Sequence, residues 1–331
     1  MMTKVELPLL EPLYSTYHSQ GSGTAVLANN SSIRNWYLNN AVSLMCNTKF
    51  LNGFTTPELS VVDSNWNVNP YFDKKWFGMQ FLKGHVNSVI HNLLDAGYYV
   101  CYAGVDDYYV EGKTWYQEKH FFHDGLICGY DNEEKTYCIY AYDKNWVYRK
   151  FWTPQKAFER GRQAMFKKNR YGYICGIKPK EDTVYFSSET TLKKIQEYLN
   201  SKPKDSSADD DIIYGIVVHD YIAKYVEKLY DGSIPYEKMD RRIFRLIWEH
   251  KKVMLERMIL IEDAISIDHS ISEAYKSIVR EADNCRMLYA AHHIKQRNSV
   301  LPIIQKKLLL IKETERSLLE KLIEKSKGDK K

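Results

Sequence analysis

The chain has 331 residues, enough for one large domain or two of ordinary size. A hydrophobic share of 44% and a charged share of 27% suit a globular chain and exclude an intrinsically disordered one. The net charge is +5, but acids and bases are interspersed, so the surface offers no basic stripe for nucleic acid. No apolar run is long enough to span a bilayer, and Glu6, Glu11 and two prolines occupy the place of a signal-peptide core. A cytoplasmic location, with no membrane partner, is the expectation. Cysteines stand at 46, 101, 128, 138, 175 and 285 with no CxxC pair, so reduced thiols are expected.

Taken in order, residues 8–17 are extended between prolines, and HSQGSGT (18–24) is expected to be a glycine-rich turn. That turn opens onto a helix over 25–46, interrupted near 29–32. Such a helix start offers free N–H groups to a nucleophile or an anion, and it also suits a plain flexible loop. Residues 47–82 are an irregular, aromatic-rich connection. A helix spans 84–96, with Val86, Val89, Ile90 and Leu93 on one face and Gly97 just past its end. His85 and His91 on it are surface or packing residues. A strand at 98–103, a polar excursion over 106–119, a hairpin over 120–146 and a strand at 147–151 follow. Thr153 and Pro154 start a helix running through Lys167, and 171–177 closes the sheet.

This pattern predicts an α+β domain over 1–200, helices first and then a mostly antiparallel sheet. A polar linker spans 201–211, and an α-helical bundle spans 212–331. Four apolar stripes mark the bundle: 214–229, 243–265, 267–288 and 304–322, with Ser270 to Glu273 as a capping box on the third. Such a bundle packs on the sheet domain or pairs with a second copy of the chain. His250, His292 and His293 are expected to be structural.

The hairpin HFFHDGLICGYDNEEKTYCIYAYDKNW organises the reading. A turn centred on Glu133 puts His123 opposite Asp143, an imidazole beside a carboxylate, as a catalytic base requires. A one-residue slip would separate them, and an ordinary hairpin would carry the same residues. Zinc at His120, His123 and Asp124 is disfavoured, because positions three apart on a strand point to opposite faces and no further ligand stands at a supporting spacing. GSGT lacks the lysine and preceding strand of a phosphate loop. No metal and no cofactor are expected.

A helix followed by HDGLICGYD and then YAYD is the order papain-type chemistry uses. WYLNN, the hairpin segment and RIFRLIWEHKKVMLER resemble natural-product cluster proteins with a papain-like (C39-peptidase-like) N-terminal domain. These include relatives of the butirosin acyltransferase and the amide-forming cysteine-protease homologue of closthioamide assembly. The resemblance implies a papain-like fold and transfer of an acyl group from a phosphopantetheine-bound acyl or peptidyl carrier protein thioester to a small amine. It implies His123 and Asp143 as catalytic residues. The turn where the family holds its cysteine contains none: Ser19 or Ser22 takes the nucleophile slot, Gln20 resembles the oxyanion glutamine, and Cys46 is the nearest thiol in sequence. Alternatives are a catalytically silent scaffold for a carrier or synthetase and, more remotely, a peptidase or amidase.

Overall fold

The computed structural model describes residues 2–26, 31–53, 55–82, 84–168, 170–203 and 211–328. In chain order the elements begin with β1 (Lys4–Glu6), α1 (His18–Ala25), α2 (Ser31–Asn40), β2 (Leu44–Asn47), β3 (Ser60–Val61) and β4 (Phe72–Gly78). Next come α3 (Met79–Leu82), α4 (Val86–Asp95), β5 (Tyr99–Asp106), β6 (Phe122–Asp131), β7 (Thr136–Tyr142), β8 (Tyr148–Pro154), α5 (Gln155–Lys167) and β9 (Tyr173–Pro179). The chain ends with α6 (Ser188–Leu199), β10 (Ile212–Tyr214), α7 (Val218–Tyr230), α8 (Ile243–Ala264), α9 (Ser270–Lys295) and α10 (Leu301–Gly328). Among the described residues no helix is long and apolar enough to cross a membrane.

The chain divides into two compact units, Met1–Arg34 with Asn65–Val184, and Asn35–Ser64 with Tyr185–Lys331. This differs from the boundaries expected at 200 and 212, and of the expected linker 204–210 lies outside the described residues. In the first unit, seven described strands form an antiparallel sheet in the order β4-β9-β5-β6-β7-β8, with β1 on β6. Val86, Ile90 and Leu94 of α4 and Phe158 and Met165 of α5 join Val100, Tyr102, Ile127, Tyr130, Tyr137, Ile139 and Ile174 of the strands in one core. Gly161 lets α5 approach β5, since a Cβ there would stand 2.8 Å from the Asp106 carbonyl oxygen.

Several local expectations are corrected. HSQGSGT is not a turn but the helix α1, closed on its first turn by Gly21 N–H donating to Tyr17 C=O at 2.8 Å. Gly21 is what lets this helix sit against β8: a Cβ would meet the Tyr148 hydroxyl at 2.6 Å. The irregular stretch 47–82 contains β4, whose FDKKWFG has too many charged residues to read as a strand. Thr153 and Pro154 belong to the end of β8, and α5 starts after them with no side-chain cap. The hairpin is present, its loop held by Asp131, whose Oδ1 accepts the Glu133 and Glu134 N–H groups.

In the second unit, β2 pairs with β10 and β3, so Leu44–Asn47 is a strand where a helix to residue 46 was expected. Arg257, fully buried on α8, closes the end of α2: it donates to the Tyr37, Leu38 and Ala41 carbonyls, of which that of Tyr37 also accepts the Ala41 N–H. The four long helices α7 to α10 are present, and α6 adds a fifth. The capping box at Ser270 is not formed; Glu262 accepts the Ile271 and Ser272 N–H groups from the preceding helix instead.

Candidate functional site

The site grows from the end of β5. A bulge between Ala103 and Val105, at Gly104 with φ +89°, releases the strand into a loop carrying two consecutive aspartates. Asp106 fixes that loop: Oδ1 accepts the Tyr108 and Phe121 N–H groups, and Oδ2 lies 2.7 Å from His120 Nδ1. Asp107 is 1% exposed and faces Lys113, itself fully buried, whose Nζ lies 3.3 Å from Asp107 Oδ1 and donates to the Asp124 carbonyl at 2.9 Å. Charges this deep are retained where they are paired and hydrogen-bonded.

His123, near the start of β6, stands between two carboxylates. Its Nδ1 is 3.5 Å from Asp107 Oδ2 and its Nε2 is 3.4 Å from Asp124 Oδ1, with about a third of the side chain (35%) open to solvent. On its other side, α1 packs on β6 and brings the His18 ring to 4.4 Å from the His123 ring. His18 is buried, and both its nitrogens are committed. Nε2 accepts the Tyr142 N–H at 3.2 Å, so the neutral ring carries its proton on Nδ1 and donates it to Asp124 Oδ1 at 3.0 Å.

Burial, and after it the Lys113 ammonium, lower His18 to a pKa of about 4 against the opposing pull of Asp124. For Asp124, burial alone would raise the carboxyl; the His18 hydrogen bond and the surrounding positive groups outweigh it and hold the group well below the usual carboxylate range. At neutral pH the pair is a neutral imidazole and a carboxylate.

His18 Nδ1, His123 Nε2 and Asp124 Oδ1 are close enough together to suggest a metal site. The donor chemistry argues otherwise. A His18 whose Nε2 accepts a backbone N–H has no lone pair left on Nδ1, and an ammonium sits on the Asp124 carbonyl. The residues fit a hydrogen-bonded relay. His120 does not join them; it lies against Asp106 and Tyr108.

His123 and Asp143 are not brought together. The register runs Leu126 to Tyr140 and Ile127 to Ile139 as expected, with the bulge at Cys128 on the turn side of these pairs, but the pairing stops at Leu126 and β7 ends at Tyr142. Asp143 turns away to organise the next loop. Its Oδ1 accepts the Asn145 and Val147 N–H groups at 2.8 and 3.0 Å, and its Oδ2 accepts Arg149 Nε. Burial would raise this carboxyl, but those donors hold it below its ordinary value.

The expected nucleophile candidates separate. Ser19 lies in the first turn of α1, half-buried and next to His18. Ser22 is buried beside the Tyr148 phenol, and Gln20 is buried, with its carbonyl accepting the Thr24 hydroxyl. Cys46 belongs to the second unit, where burial pushes its thiol up to about 12, so it is no thiolate at neutral pH.

Sequence reasoning missed His18, Asp107 and Lys113. The doublet Asp106-Asp107 at the end of an apolar strand was the available signal, since two adjacent carboxylates at a strand end need partners. The chain matches no protein-family model, and no curated protein shows significant similarity to it.

Proposed function

We propose that the first unit is a papain-like acyl-transfer domain in which His123 is the general base and Ser19 the nucleophile. The observation that carries this reading is His123 itself: solvent-accessible, flanked by Asp107 and Asp124, and edge to face with His18 at the helix start that bears Ser19. A carboxylate beside an imidazole orients it and stabilises the imidazolium that forms when it takes a proton. His18 and Lys113 are positioning residues, holding Asp124 and Asp107 in place.

In this reading the donor is an acyl or peptidyl carrier thioester, and the cytoplasm is the compartment it needs. His123 takes the Ser19 hydroxyl proton as the oxygen adds to the thioester carbonyl. The C–S bond breaks, and the proton passes to the departing thiol. A small amine then attacks the ester, gives a proton to His123, and leaves as the amide while Ser19 regains its hydrogen. The serine needs this base, because an unassisted hydroxyl is essentially un-ionised at pH 7.

The test offers the full chain a carrier thioester and an amine, with mass spectrometry of protein and product. Wild type should show an acyl adduct on Ser19; His123→Ala should lower turnover by about 10²–10⁴-fold, and Ser19→Ala should remove the adduct. A second reading, a carrier-binding scaffold without chemistry, draws on the oxygen standing in place of a thiol. It wins if wild type binds the carrier yet yields neither adduct nor product.

A further inference from the structure

The hairpin of β6 and β7 brings two free thiols together. Cys128 is the extra residue of the bulge between Ile127 and Gly129, and Gly129 is the residue paired with Cys138. Gly129 sets no side chain against that cysteine, and none would fit: a Cβ there would stand 2.4 Å from the Val5 carbonyl oxygen. Cys128 reaches across instead, donating its S–H to Cys138 Sγ with the sulfurs 3.5 Å apart.

Both thiols are buried, yet the pair lies close beneath the surface. Neighbours along a strand alternate faces, so Cys138 is on the opposite face from Tyr137 and Ile139, which belong to the core. Its own face carries Trp152 directly across on β8, with Lys150 two residues along. Lys150 pairs with Glu6 at 2.5 Å and Lys4 lies 4.9 Å over the Trp152 ring, and all four of these side chains are partly exposed. The S–H donated by Cys128 holds the Cys138 thiol below its ordinary value, against burial and Glu6, and Lys150 and Lys4 add to the effect. The remaining cysteines differ. Burial pushes Cys46, Cys175 and Cys285 up to about 12 and Cys101 well above its ordinary value, so they stay protonated.

We propose that Cys138 and Cys128 form an oxidation site for hydroperoxides, with Cys138 as the attacking sulfur and Cys128 as the resolving one. The Cys138 sulfur attacks a peroxide oxygen, the O–O bond breaks, and the thiol proton leaves with the departing oxygen. The Cys128 sulfur then displaces the hydroxyl of the Cys138 sulfenic acid, and its own proton completes a water. The two thiols lose two electrons to the peroxide and end as one disulfide. The sulfurs must close from 3.5 Å to about 2.05 Å, a shift open to a residue that the ladder between β6 and β7 leaves unpaired. None of this draws on the acyl-transfer reading.

The test exposes the reduced, folded full chain to hydrogen peroxide, then denatures it, alkylates it with iodoacetamide and maps its peptides by mass spectrometry. The disulfide between Cys128 and Cys138 should form at least about 10-fold faster than any oxidation at Cys46, Cys101, Cys175 or Cys285, and dithiothreitol should reverse it. Cys128→Ala should leave a sulfenic acid on Cys138 that dimedone traps. Cys138→Ala should leave Cys128 a free, alkylated thiol at the same dose. The wild-type result needs neither variant to fold. Oxidation of the other cysteines at an equal or faster rate, peroxide treatment that yields no disulfide, or dimedone capture on Cys128 in place of Cys138 would overturn the proposal.

Discussion

His18 shows how a residue can matter to a site without touching a substrate. Its folded pKa of about 4 lies below the ordinary 6.5, so the unfolded chain binds the extra proton first. Stability contributed by the neutral ring is full above pH 6.5 and is lost as pH falls toward 4, on the order of 3 kcal/mol for a shift of this size. Asp124, depressed as well, adds a loss in the same direction at more acid pH. Urea midpoints of His18→Gln should therefore vary less steeply than wild type between pH 6.5 and 4. A slope as steep as wild type's would show that His18 is not the titrating group. The buried His219 and His250, also lowered chiefly by burial, keep some slope in either protein. His18 was within the stretch the sequence singled out, but its role was illegible there. Its partners, Asp124 and the Tyr142 amide, lie more than a hundred residues away.

At the scale of the element, the loop from Asp143 to Val147 replaces a catalytic expectation with a structural one. Asp143→Asn keeps Oδ1 for the Asn145 and Val147 amides and gives up only the carboxylate acceptor of the half-exposed Arg149, so it should cost less stability than alanine. Asp143→Ala strands both amides and Arg149 and should cost about 1–3 kcal/mol in chemical denaturation. Under the acyl-transfer reading, the asparagine variant should keep its turnover. A collapse of turnover in Asp143→Asn with unchanged stability would return Asp143 to the catalytic set. The hairpin itself was legible, because two alternating apolar runs flank a polar loop. What hid the partner was a pairing that stops at Leu126 and Tyr140 and a strand that ends one position before Asp143, leaving the aspartate to the next loop. The helices were legible from their apolar stripes. Their polar interior was not: Glu315 accepts Lys251 Nζ at 2.6 Å and Tyr198 OH at 2.8 Å, all fully buried, and stripe reasoning counts such residues as surface.

At the scale of the molecule, the second unit is discontinuous in sequence. His250 Nε2 bonds the Val42 carbonyl at 2.8 Å, Arg257 bonds three carbonyls of residues 37–41, and β10 pairs with β2. A fragment of residues 212–331, the bundle suggested by sequence alone, would leave a buried guanidinium and imidazole without these acceptors. It should show little cooperative unfolding by circular dichroism; adding residues 35–64 and 185–211 supplies the missing partners. A cooperatively folded 212–331 fragment would contradict the division. Strands of two to four residues carry too short a period to announce such an exchange, which is why the boundary expected from the sequence differs from this division.

The bond between Arg257 and the Leu38 carbonyl spans 219 residues, and that separation has a meaning in time. A ribosome adding about 5–20 residues per second needs roughly 10–40 s to travel from one partner to the other. Throughout that interval the end of α2 waits with open carbonyls, and Leu44 and Cys46 wait without the strand and helices that will bury them. All of Asn65–Val184 is synthesised in the meantime. The unit whose first residues appear early is thus completed last, and its assembly is paced by translation before it is paced by folding.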